Sequence, residues 1–236
     1  MAMFLSGHRS LLPIYLFFVR LVFISDTHAQ HSQLVLPPGD VLFHTGDFST
    51  RGLLGEVQIF LDWFAAQPHP HKVLIAGNHD FLADQNPGLF QSMVPDNVIY
   101  LNDTGCMLDG IRIWGSPIQP WFFDWAFNRK RGAEIRQHWD LIPEDTQILL
   151  THGPPYGILD EVARDRRPVG CRDLLHRVRD LNSVKIHAFG HIHEGYGQYE
   201  AGDTLFLNAS VLDEHYVLQN KPFVVDWQEG RGVVVP

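Results

Sequence analysis

Short apolar runs separated by polar, glycine-containing turns set the pattern of this chain. Five of these runs predict buried strands, because strands covered on both faces read as continuous apolar segments. They occupy residues 19–25, 41–43, 73–76, 148–150 and 186–189. Each run leads into residues that can bind a metal. In open α/β sheets, function gathers beyond the carboxyl ends of the strands, so we expect these five ends to meet.

Helical spacing appears in two places. Apolar residues after the second strand predict an amphipathic helix that ends near residues 67–70, and they are Leu53, Val57, Phe60, Leu61 and Phe64. Residues 171–181 predict a second helix, whose inner face carries Leu174, Leu175 and Val178.

Turn residues at two places predict β-hairpins. Asp109-Gly110 separates predicted strands at 106–108 and 111–114, after another at 98–101, and Asp-Gly is a strong hairpin signal. Gly202-Asp203 separates strands at 196–200 and 204–207, and residues 223–225 and 233–235 are candidates to close a sheet. Strands that first alternate with helices and then form hairpins predict an α/β fold, with two mixed sheets packed face to face and helices outside.

Composition narrows the class of protein. The 236 residues include 45% hydrophobic residues, and the formal net charge is −9. A general binder of long nucleic acid needs a basic face, so this class is not expected. The two cysteines, Cys106 and Cys171, make no disulfide framework and predict a reducing, cytoplasmic location. No apolar run is long enough to span a bilayer, and the oligomeric state is not predicted.

The amino terminus leaves alternatives open. The apolar run at residues 11–19 follows His8-Arg9, but it has no clear cleavage site and contains Pro13. It is consistent with an export signal, a peripheral strand or a wrongly assigned start codon. We therefore expect residues 1–18 to be an extension, and residues 19–236 to form a single domain.

The residues at the five strand ends have the chemistry of a two-metal site. Residues at i and i+2 of an extended segment point to the same side, so Asp26 with His28, and His191 with His193, can each grip an ion. Asp47 has two carboxylate oxygens and can bridge two ions. The remaining candidate ligands are Asn78 and His152. Mixed nitrogen and oxygen donors without thiolate favour Mn, Fe or Zn over Mg, Ca or a structural zinc site.

Several neighbouring residues are candidates for catalysis or substrate binding. His79 is expected beside the metals, where it can protonate a leaving oxygen, and Asp80 is expected to orient the site. Asn78, His79, Arg51 and Asn208 are candidates to contact substrate. For Arg51 the alternative is a solvated residue at a helix start, and for Asn208 it is an ordinary turn residue.

Other chemically notable residues have two interpretations each. The aromatic cluster in residues 121–127 is either a lip on which a base stacks or a buried corner, and basic residues 129–131 follow it. His187 is interpreted as a core histidine. His44 is either a core residue or a support for the metal ligands. The arginines in residues 164–167 are interpreted as a solvated loop.

The motifs resemble those of calcineurin-like metallophosphoesterases. That family is built on D-x-H, G-D, G-N-H-D/E, H and G-H-x-H, which match 26–28, 46–47, 77–80, His152 and 190–193. The resemblance implies a four-layer α/β/β/α sandwich. It also implies one metal on Asp26, His28, Asp47 and His193, and another on Asp47, Asn78, His152 and His191.

Further segments resemble one branch of that family. They include residues 115–117, 151–155 and 193–197, which are similar to the metallophosphoesterase-domain-containing proteins related to class III cyclic nucleotide phosphodiesterases. Some members of this branch have Gly at the position of His191 and are poor catalysts, whereas this chain keeps the histidine. Ser/Thr phosphatases of the family carry G-D-x-x-D-R-G, but Thr50 here replaces the second Asp.

Together these features predict a dinuclear-metal hydrolase of phosphate esters. A phosphodiesterase acting on small nucleotide-type substrates, with cyclic nucleotides among the candidates, is favoured. The expected mechanism is in-line attack by a hydroxide that bridges the metals. The alternatives are a phosphomonoesterase or a lipid-headgroup diesterase on the same site, or a nucleotide-binding regulator of low activity.

Overall fold

The computed structural model describes residues 18–228 and 230–235. The strands are β1 (Val19–Ile24), β2 (Val41–Thr45), β3 (His71–Ile75), β4 (Ile99–Tyr100), β5 (Thr104–Leu108), β6 (Ile111–Ser116), β7 (Gln119–Pro120), β8 (Asn128–Arg129), β9 (Ile148–Thr151), β10 (Ile186–Phe189), β11 (Gly197–Ala201), β12 (Thr204–Asn208), β13 (Phe223–Gln228) and β14 (Arg231–Val235). The helices are α1 (Leu54–Ala65), α2 (Phe81–Gln85), α3 (Pro87–Met93), α4 (Ala133–Trp139) and α5 (Arg172–Asp180). The apolar run at residues 11–17 lies outside the described residues.

Two six-stranded mixed sheets form the centre of the molecule. The first has the order β14-β13-β1-β2-β3-β4, and the second has the order β11-β12-β10-β9-β6-β5. Strands β1 to β4 are parallel, as are β6, β9, β10 and β12, whereas β5, β11, β13 and β14 pair antiparallel at the edges. The predicted pair of mixed sheets is confirmed.

Alternating side chains explain why the central strands are apolar on both faces. On β1 and β2, Phe23 and Phe43 point into the core between the sheets, and their rings stack at 4.7 Å. The adjacent Leu42 points outward and joins the core that contains Phe60 and Phe64 of α1. Full burial of each such side chain contributes about 1.5–3 kcal/mol. The result is the predicted sandwich, in which helices cover the outer faces of two sheets.

The predicted helices and hairpins are present with small shifts at their ends. Helix α1 buries Val57, Phe60, Leu61 and Phe64, and α5 buries Leu174, Leu175 and Val178. The β5–β6 turn places Asp109 and Gly110 at φ 48° and 80°, the left-handed geometry that the Asp-Gly signal implies. Strand β13 pairs with β1 and carries β14 to the edge of the first sheet.

Several short elements were not predicted from the sequence, although β4 (Ile99–Tyr100) lies within the predicted strand at 98–101. Helices α2, α3 and α4 have five to seven residues, too few turns to show a helical period. Helix α3 is fixed by local chemistry instead, since the Asn86 side chain accepts from Leu89 N and Pro87 occupies the first turn. Strands β7 and β8 form a separate two-residue ladder.

Candidate metal centre

The loops after β1, β2 and β10 hold their polar residues in an uncommon backbone conformation. Asp26, His28, Asp47 and His191 have φ values of 54°, 38°, 56° and 67°. This left-handed region costs roughly 1–2 kcal/mol for each non-glycine residue. Hydrogen bonds between the loops maintain this backbone conformation, including Asp26 N to Gly46 O at 3.0 Å and His28 N to Asp47 O at 3.0 Å. Such strain clusters at functional sites.

Two groups of potential metal ligands come together in these loops. One contains Asp26, His28 and His193, and the other contains Asp47, His152 and His191, with the ligand atoms of each group within 4.8 Å of one another. A third group of this size joins His28 and Asp47 to His79. The groups therefore share members and form one continuous cluster.

Asp47 lies between the two groups. Its Oδ2 is 3.3 Å from His152 Nε2 and 3.7 Å from His28 Nε2. Its Oδ1 accepts a hydrogen bond of 2.8 Å from His79 N, which fixes the carboxylate. Asn78 Oδ1 lies 2.9 Å from His152 Nε2. The structure thus brings all seven sequence-predicted ligands to one place.

Unpartnered polar atoms show that the cluster fits cations. Both ring nitrogens of His28 are buried and have no hydrogen-bond partner among the described residues. The Asp26 and Asp47 side chains are almost fully buried, and neither makes an ion pair with Lys or Arg within the part of the chain that the structure describes. Buried charges and polar atoms are costly without compensation, and metal ions would supply it here.

The histidines divide into two protonation classes. Burial opposes protonation of His152 and His193, but Asp47 and Asp26 outweigh it and raise the pKa of each ring to about 9. Burial dominates at His28 and His191 and lowers their pKa values to about 4 and about 3. Two carboxylates therefore face two imidazolium rings near neutral pH. Metal cations would displace those two protons, since a ligating imidazole must be neutral.

The two carboxylates remain ionised in this environment. Burial raises the pKa of Asp26, yet the hydrogen bond and charge of His193 outweigh it and hold the pKa well below its usual range. Burial also raises the pKa of Asp47, but the charge and hydrogen bond of His152 outweigh it and lower the pKa of this carboxyl. Ionised carboxylates with neutral imidazoles are the donor set expected for Mn, Fe or Zn.

His79 occupies the edge of the cluster. Its Nδ1 lies 2.8 Å from Thr50 O, which orients the ring by a backbone hydrogen bond. Its Nε2 lies 4.0 Å from Asp47 Oδ2. The ring also packs on Trp125, with centroids 4.2 Å apart. The Nδ1–H donates to the carbonyl, so Nε2 is directed at the metal ligands and the cavity beside them.

Asp80 supports the site from behind. Its Oδ2 accepts from Asp47 N at 2.9 Å and from Gly77 N at 2.8 Å, and its Oδ1 accepts from Ser49 N at 3.0 Å. The side chain is fully buried and does not line the cavity. The structure therefore gives Asp80 a positioning role, because it ties the loop after β2 to the loop after β3.

The remaining two substrate-binding candidates contact residues that line the cavity but do not line it themselves. Arg51 is exposed, and its guanidinium stacks 5.3 Å from the centre of the Trp125 ring. Asn208 is fully buried, and its Nδ2 donates to Ile192 O at 2.7 Å and to Leu159 O at 3.2 Å. Asn208 thus holds the loop between His191 and His193, and neither residue lines the cavity.

Two buried histidines, one in each sheet, support the ligand loops. His44 Nε2 lies 3.0 Å from Thr27 Oγ1, between the ligands Asp26 and His28. His187 Nε2 lies 2.8 Å from Thr151 Oγ1, next to His152. Both rings are fully buried, and burial lowers the pKa of each to about 3. They are neutral core histidines that also fix the threonine beside a ligand.

Sequence reasoning did not identify the segment that covers His193. Asp213 O accepts from His193 Nδ1 at 2.9 Å. The ring of Tyr216 packs 5.0 Å from that of His28 and 4.9 Å from that of His193. Tyr216 has φ 59°. The His193 ring is held by the backbone carbonyl of Asp213. Every residue has such a carbonyl, so the sequence contains no signal for this contact.

A cavity of about 480 Å³ opens on the metal ligands. One wall is formed by Asp47, Asn78, His79, His191 and His193. The rest of the lining includes Trp121, Phe122, Trp125, Val162, Pro168 and Ile192. The aromatic cluster is divided between two environments, because Trp121 and Phe122 line the cavity whereas Phe127 is buried in the core.

Glycines at the motif positions permit the loops to approach one another. A Cβ at Gly190 would overlap the Asp26 carboxylate and the Ser25 hydroxyl. A Cβ at Gly77 would overlap Asp47 and lie 2.7 Å from His152 Cε1. Glycine is therefore required at both positions by space alone.

The chain as a whole is similar to proteins of one known family. The sequence profile of the calcineurin-like phosphoesterase family matches residues 19–195. The human metallophosphoesterase domain-containing protein 1 is 42% identical over 232 residues, which cover 89% of this chain and 71% of that protein. A Caenorhabditis elegans protein of the UPF0046 group is 36% identical, with 88% of this chain and 74% of that protein covered.

A solved structure shares the fold at low sequence similarity. It superimposes with a TM-score of 0.64 and 13% identity, and the match covers 93% of this chain and 98% of the other. Within the residues that the structure describes, no helix is both long and apolar enough to cross a membrane. On the profile match and the identity to the human and nematode proteins, this chain belongs to the calcineurin-like phosphoesterase family.

Proposed function

We propose that this protein is a dinuclear metal-dependent phosphodiesterase that cleaves small nucleotide-type esters. The observation that carries the proposal is the position of Asp47, whose Oδ2 lies 3.3 Å from His152 Nε2 in one ligand group and 3.7 Å from His28 Nε2 in the other. Two ions held about 3.5–4 Å apart would clamp a phosphoryl group and provide a nucleophilic water of lowered pKa. The two proposed ligand sets are Asp26, His28, Asp47 and His193, and Asp47, Asn78, His152 and His191.

The protein's own residues supply orientation and a proton. The Asp47 and Asp26 carboxylates are fixed by backbone N–H groups of His79 and His191, so their geometry exists before substrate binds. His79 presents Nε2 to the cavity, because Nδ1 is held by Thr50 O. In the proposed reaction His79 acts as an imidazolium: its Nε2–H protonates the leaving oxygen while Nδ1–H stays on Thr50 O, which leaves a neutral ring. General-acid catalysis of this kind is worth roughly 10²–10⁴ in rate.

The cavity supports a nucleotide-sized substrate. Its volume of about 480 Å³ lies in the range of small-molecule sites. Aromatic side chains line it together with the metal ligands, and such rings stack on bases. Cyclic nucleotides are the favoured candidates, because a cyclic diester presents one phosphoryl group to the metals and a base to the aromatic rings.

A substrate panel with measured metal content tests the proposal. The purified protein is loaded separately with Mn, Fe, Zn, Mg or Ca and assayed on 2′,3′- and 3′,5′-cyclic nucleotides, a glycerophosphodiester and an aryl phosphomonoester. Diester turnover that rises with two bound ions per chain is the expected result. His215→Ala, on an exposed ring, is the matched control for substitutions of the ligand histidines.

Other outcomes of the panel would assign a different function. Preference for the monoester would make the protein a phosphomonoesterase, and preference for the glycerophosphodiester would make it a lipid-headgroup diesterase. Turnover near background despite two bound ions would indicate a nucleotide-binding regulator. Full activity with a single ion per chain would contradict the shared role of Asp47.

A further inference from the structure

Hydrogen bonding fixes the His79 ring at one atom. Nδ1 donates to Thr50 O at 2.8 Å, whereas Nε2 lies 4.0 Å from Asp47 Oδ2 and makes no hydrogen bond within the part of the chain that the structure describes. Rotation about the bond that joins Cβ to an aromatic ring is soft. One hydrogen bond at Nδ1 therefore does not fix the plane of the ring, and the direction of Nε2 depends on that plane.

Two aromatic neighbours fix the plane of the His79 ring. Trp125 packs along it, with centroids 4.2 Å apart and planes at 30°. His28 meets it edge to face, with centroids 4.5 Å apart and planes at 88°. Aromatic rings favour these two arrangements. His28 is already a proposed metal ligand, so Trp125 is the neighbour whose ring has no other part in the centre.

Trp125 is itself held against the loop that carries His79. Ala126 N donates to Asn78 O at 3.2 Å, which joins the residue after Trp125 to the residue before His79. Ala126 is buried. The indole also packs on Phe81, with ring centroids 5.8 Å apart. The position of Trp125 relative to His79 is thus set by the backbone as well as by side-chain packing.

Residues 50 and 51 contact both rings from the loop after β2. Thr50 O accepts from His79 Nδ1, and the Arg51 guanidinium lies 5.3 Å from the centre of the Trp125 ring, within the range of a cation–π contact. Arg51 N donates to Glu56 Oε2 at 3.0 Å, which fixes the backbone here. One short segment therefore holds the hydrogen-bonded atom of the imidazole and the ring that packs on it.

We propose that Trp125 is a positioning residue, which sets the plane of the His79 ring so that Nε2–H points at the leaving oxygen. The inference rests on the proposed function, in which His79 is the general acid. As the bond from phosphorus to the leaving oxygen breaks, its electron pair stays on that oxygen, and the Nε2 proton moves to it. A displacement of about 1 Å at such a group can cost about 100-fold in rate.

The alternative role for Trp125 is a platform for a substrate base, since its ring lines the cavity. A platform binds the base whatever the leaving group is, so its loss raises KM. A positioning residue acts on proton transfer, so its loss lowers kcat for substrates whose leaving oxygen needs a proton. The contact at 4.2 Å favours positioning, because it leaves no space for a base between Trp125 and His79.

Two esters that differ only in the leaving group test the proposal with the manganese-loaded protein. They are thymidine 5′-(4-nitrophenyl phosphate), whose phenolate leaves without a proton, and thymidine 5′-(methyl phosphate), whose alkoxide does not. Trp125→Leu is expected to lower kcat by about 10–100-fold on the methyl ester and by less than about three-fold on the nitrophenyl ester. Trp125→Phe keeps an aromatic ring beside His79 and is expected to recover most of the loss.

A double substitution separates positioning from a general structural effect. If Trp125 acts through His79, Trp125→Leu should cause no further loss of methyl-ester turnover in a His79→Ala protein, whereas independent effects would multiply. Trp121→Leu is the matched control, because Trp121 lines the same cavity but makes no ring contact with His79 among the described residues. It should leave the ratio of the two kcat values unchanged. Thermal unfolding and metal content verify every variant.

NMR of the zinc-loaded protein with ¹⁵N-labelled histidine gives a readout that needs no turnover. The Nδ1–H proton of His79, identified by its loss in His79→Ala, should exchange slowly with water in the wild type because Thr50 O holds it. It should exchange faster in Trp125→Leu but not in Trp121→Leu.

Several outcomes would overturn the inference and leave the proposed function standing. They are an equal loss of kcat on both esters, a rise in KM alone, a further loss in the His79→Ala background, or unchanged exchange of the His79 proton in Trp125→Leu. If the wild type turns over neither ester with two ions bound, the proposed function is rejected, and this inference with it.

Discussion

The Asp80 carboxylate joins two loops of the metal centre, and Asp80→Asn tests how far the centre depends on that support. Each carboxylate oxygen is fully used: Oδ2 accepts from Asp47 N and Gly77 N, and Oδ1 accepts from Ser49 N and Ser49 Oγ. An amide has one acceptor oxygen, so in Asp80→Asn the NH₂ group must face two of these donors. If it faces Ser49, only the Ser49 hydroxyl can rotate and accept a hydrogen bond from it, because Ser49 N cannot accept.

The expected loss of stability follows from the hydrogen bonds that the amide of Asp80→Asn cannot make. Burial and the nearby Asp47 charge raise the pKa of Asp80 to about 7, so the comparison is made at pH 8, where the carboxylate is ionised. If the amide oxygen keeps the Oδ2 position, Ser49 N loses its partner in a buried site, and the bonds to Asp47 N and Gly77 N lose their charged acceptor. A hydrogen bond to a charged group contributes about 1.5–3 kcal/mol and a buried unsatisfied donor costs about 1–3 kcal/mol. We expect a loss of about 3 kcal/mol in unfolding free energy, or roughly 6–12 °C in Tm.

The functional consequence should appear in metal binding. Asp47 and Asn78 lie in the two loops that Asp80 ties together. Loss of a supporting partner typically lowers metal affinity or activity by about 10–100-fold. Calorimetric unfolding without metal and titration with Mn measure the two effects. Asp84→Asn, a few residues along in α2, is the control. A Tm within about 1 °C of wild type, with unchanged metal affinity, would refute this reasoning.

The other predictions concern single contacts of the centre. Asp47→Asn should reduce bound metal to at most one ion per chain and abolish activity, and metal analysis showing two ions would contradict its shared position. His79→Ala should keep both ions but lower kcat by roughly 10²–10⁴ on substrates with poor leaving groups, whereas equal kcat values would remove it from the acid role. Metal binding at pH 6 should release about two protons, because His152 and His193 have pKa values raised to about 9 and must lose them. Calorimetry in two buffers of different ionisation enthalpy measures the number of protons released. The affinity for metal should also rise with pH up to about 9. Release of no protons would show that these rings are already neutral.

The same pKa shifts give the pH dependence of the metal-free protein. A histidine whose folded pKa is raised stabilises the fold fully below its unfolded pKa of 6.5, and this contribution is lost as pH rises through about 9. The metal-free protein should therefore lose stability between these values, whereas the metal-loaded protein should not. Thermal unfolding across this pH range compares the two forms.

Much of the fold was readable from local patterns. The helix periods of α1 and α5 identified residues that the structure buries, because one apolar stripe per helix is enough to mark its inner face. Asp-Gly and Gly-Asp marked two hairpins, since few residues adopt a left-handed turn. Short helices such as α2 were not readable, because one turn has no period.

Part of the candidate site could also be predicted from local features of the sequence. Metal ligands are a small set of residue types, and strands of one sheet that run parallel end at the same edge. Asp26, His28 and Asp47 could therefore be placed together before the structure was known. Arg51 and Asn208 could not be assigned, because their contacts depend on Trp125 and on the Ile192 and Leu159 carbonyls.

The sequence alone determined the two mixed sheets, the main helices and the residue types that gather at the strand ends, because these follow from local propensity, spacing and donor chemistry. The tertiary structure decided which carbonyls fix His79, His152 and His193, and that Tyr216 covers His28 and His193. Those relations join segments distant in the chain through backbone groups that every residue has, so only the packing of the whole chain can specify them.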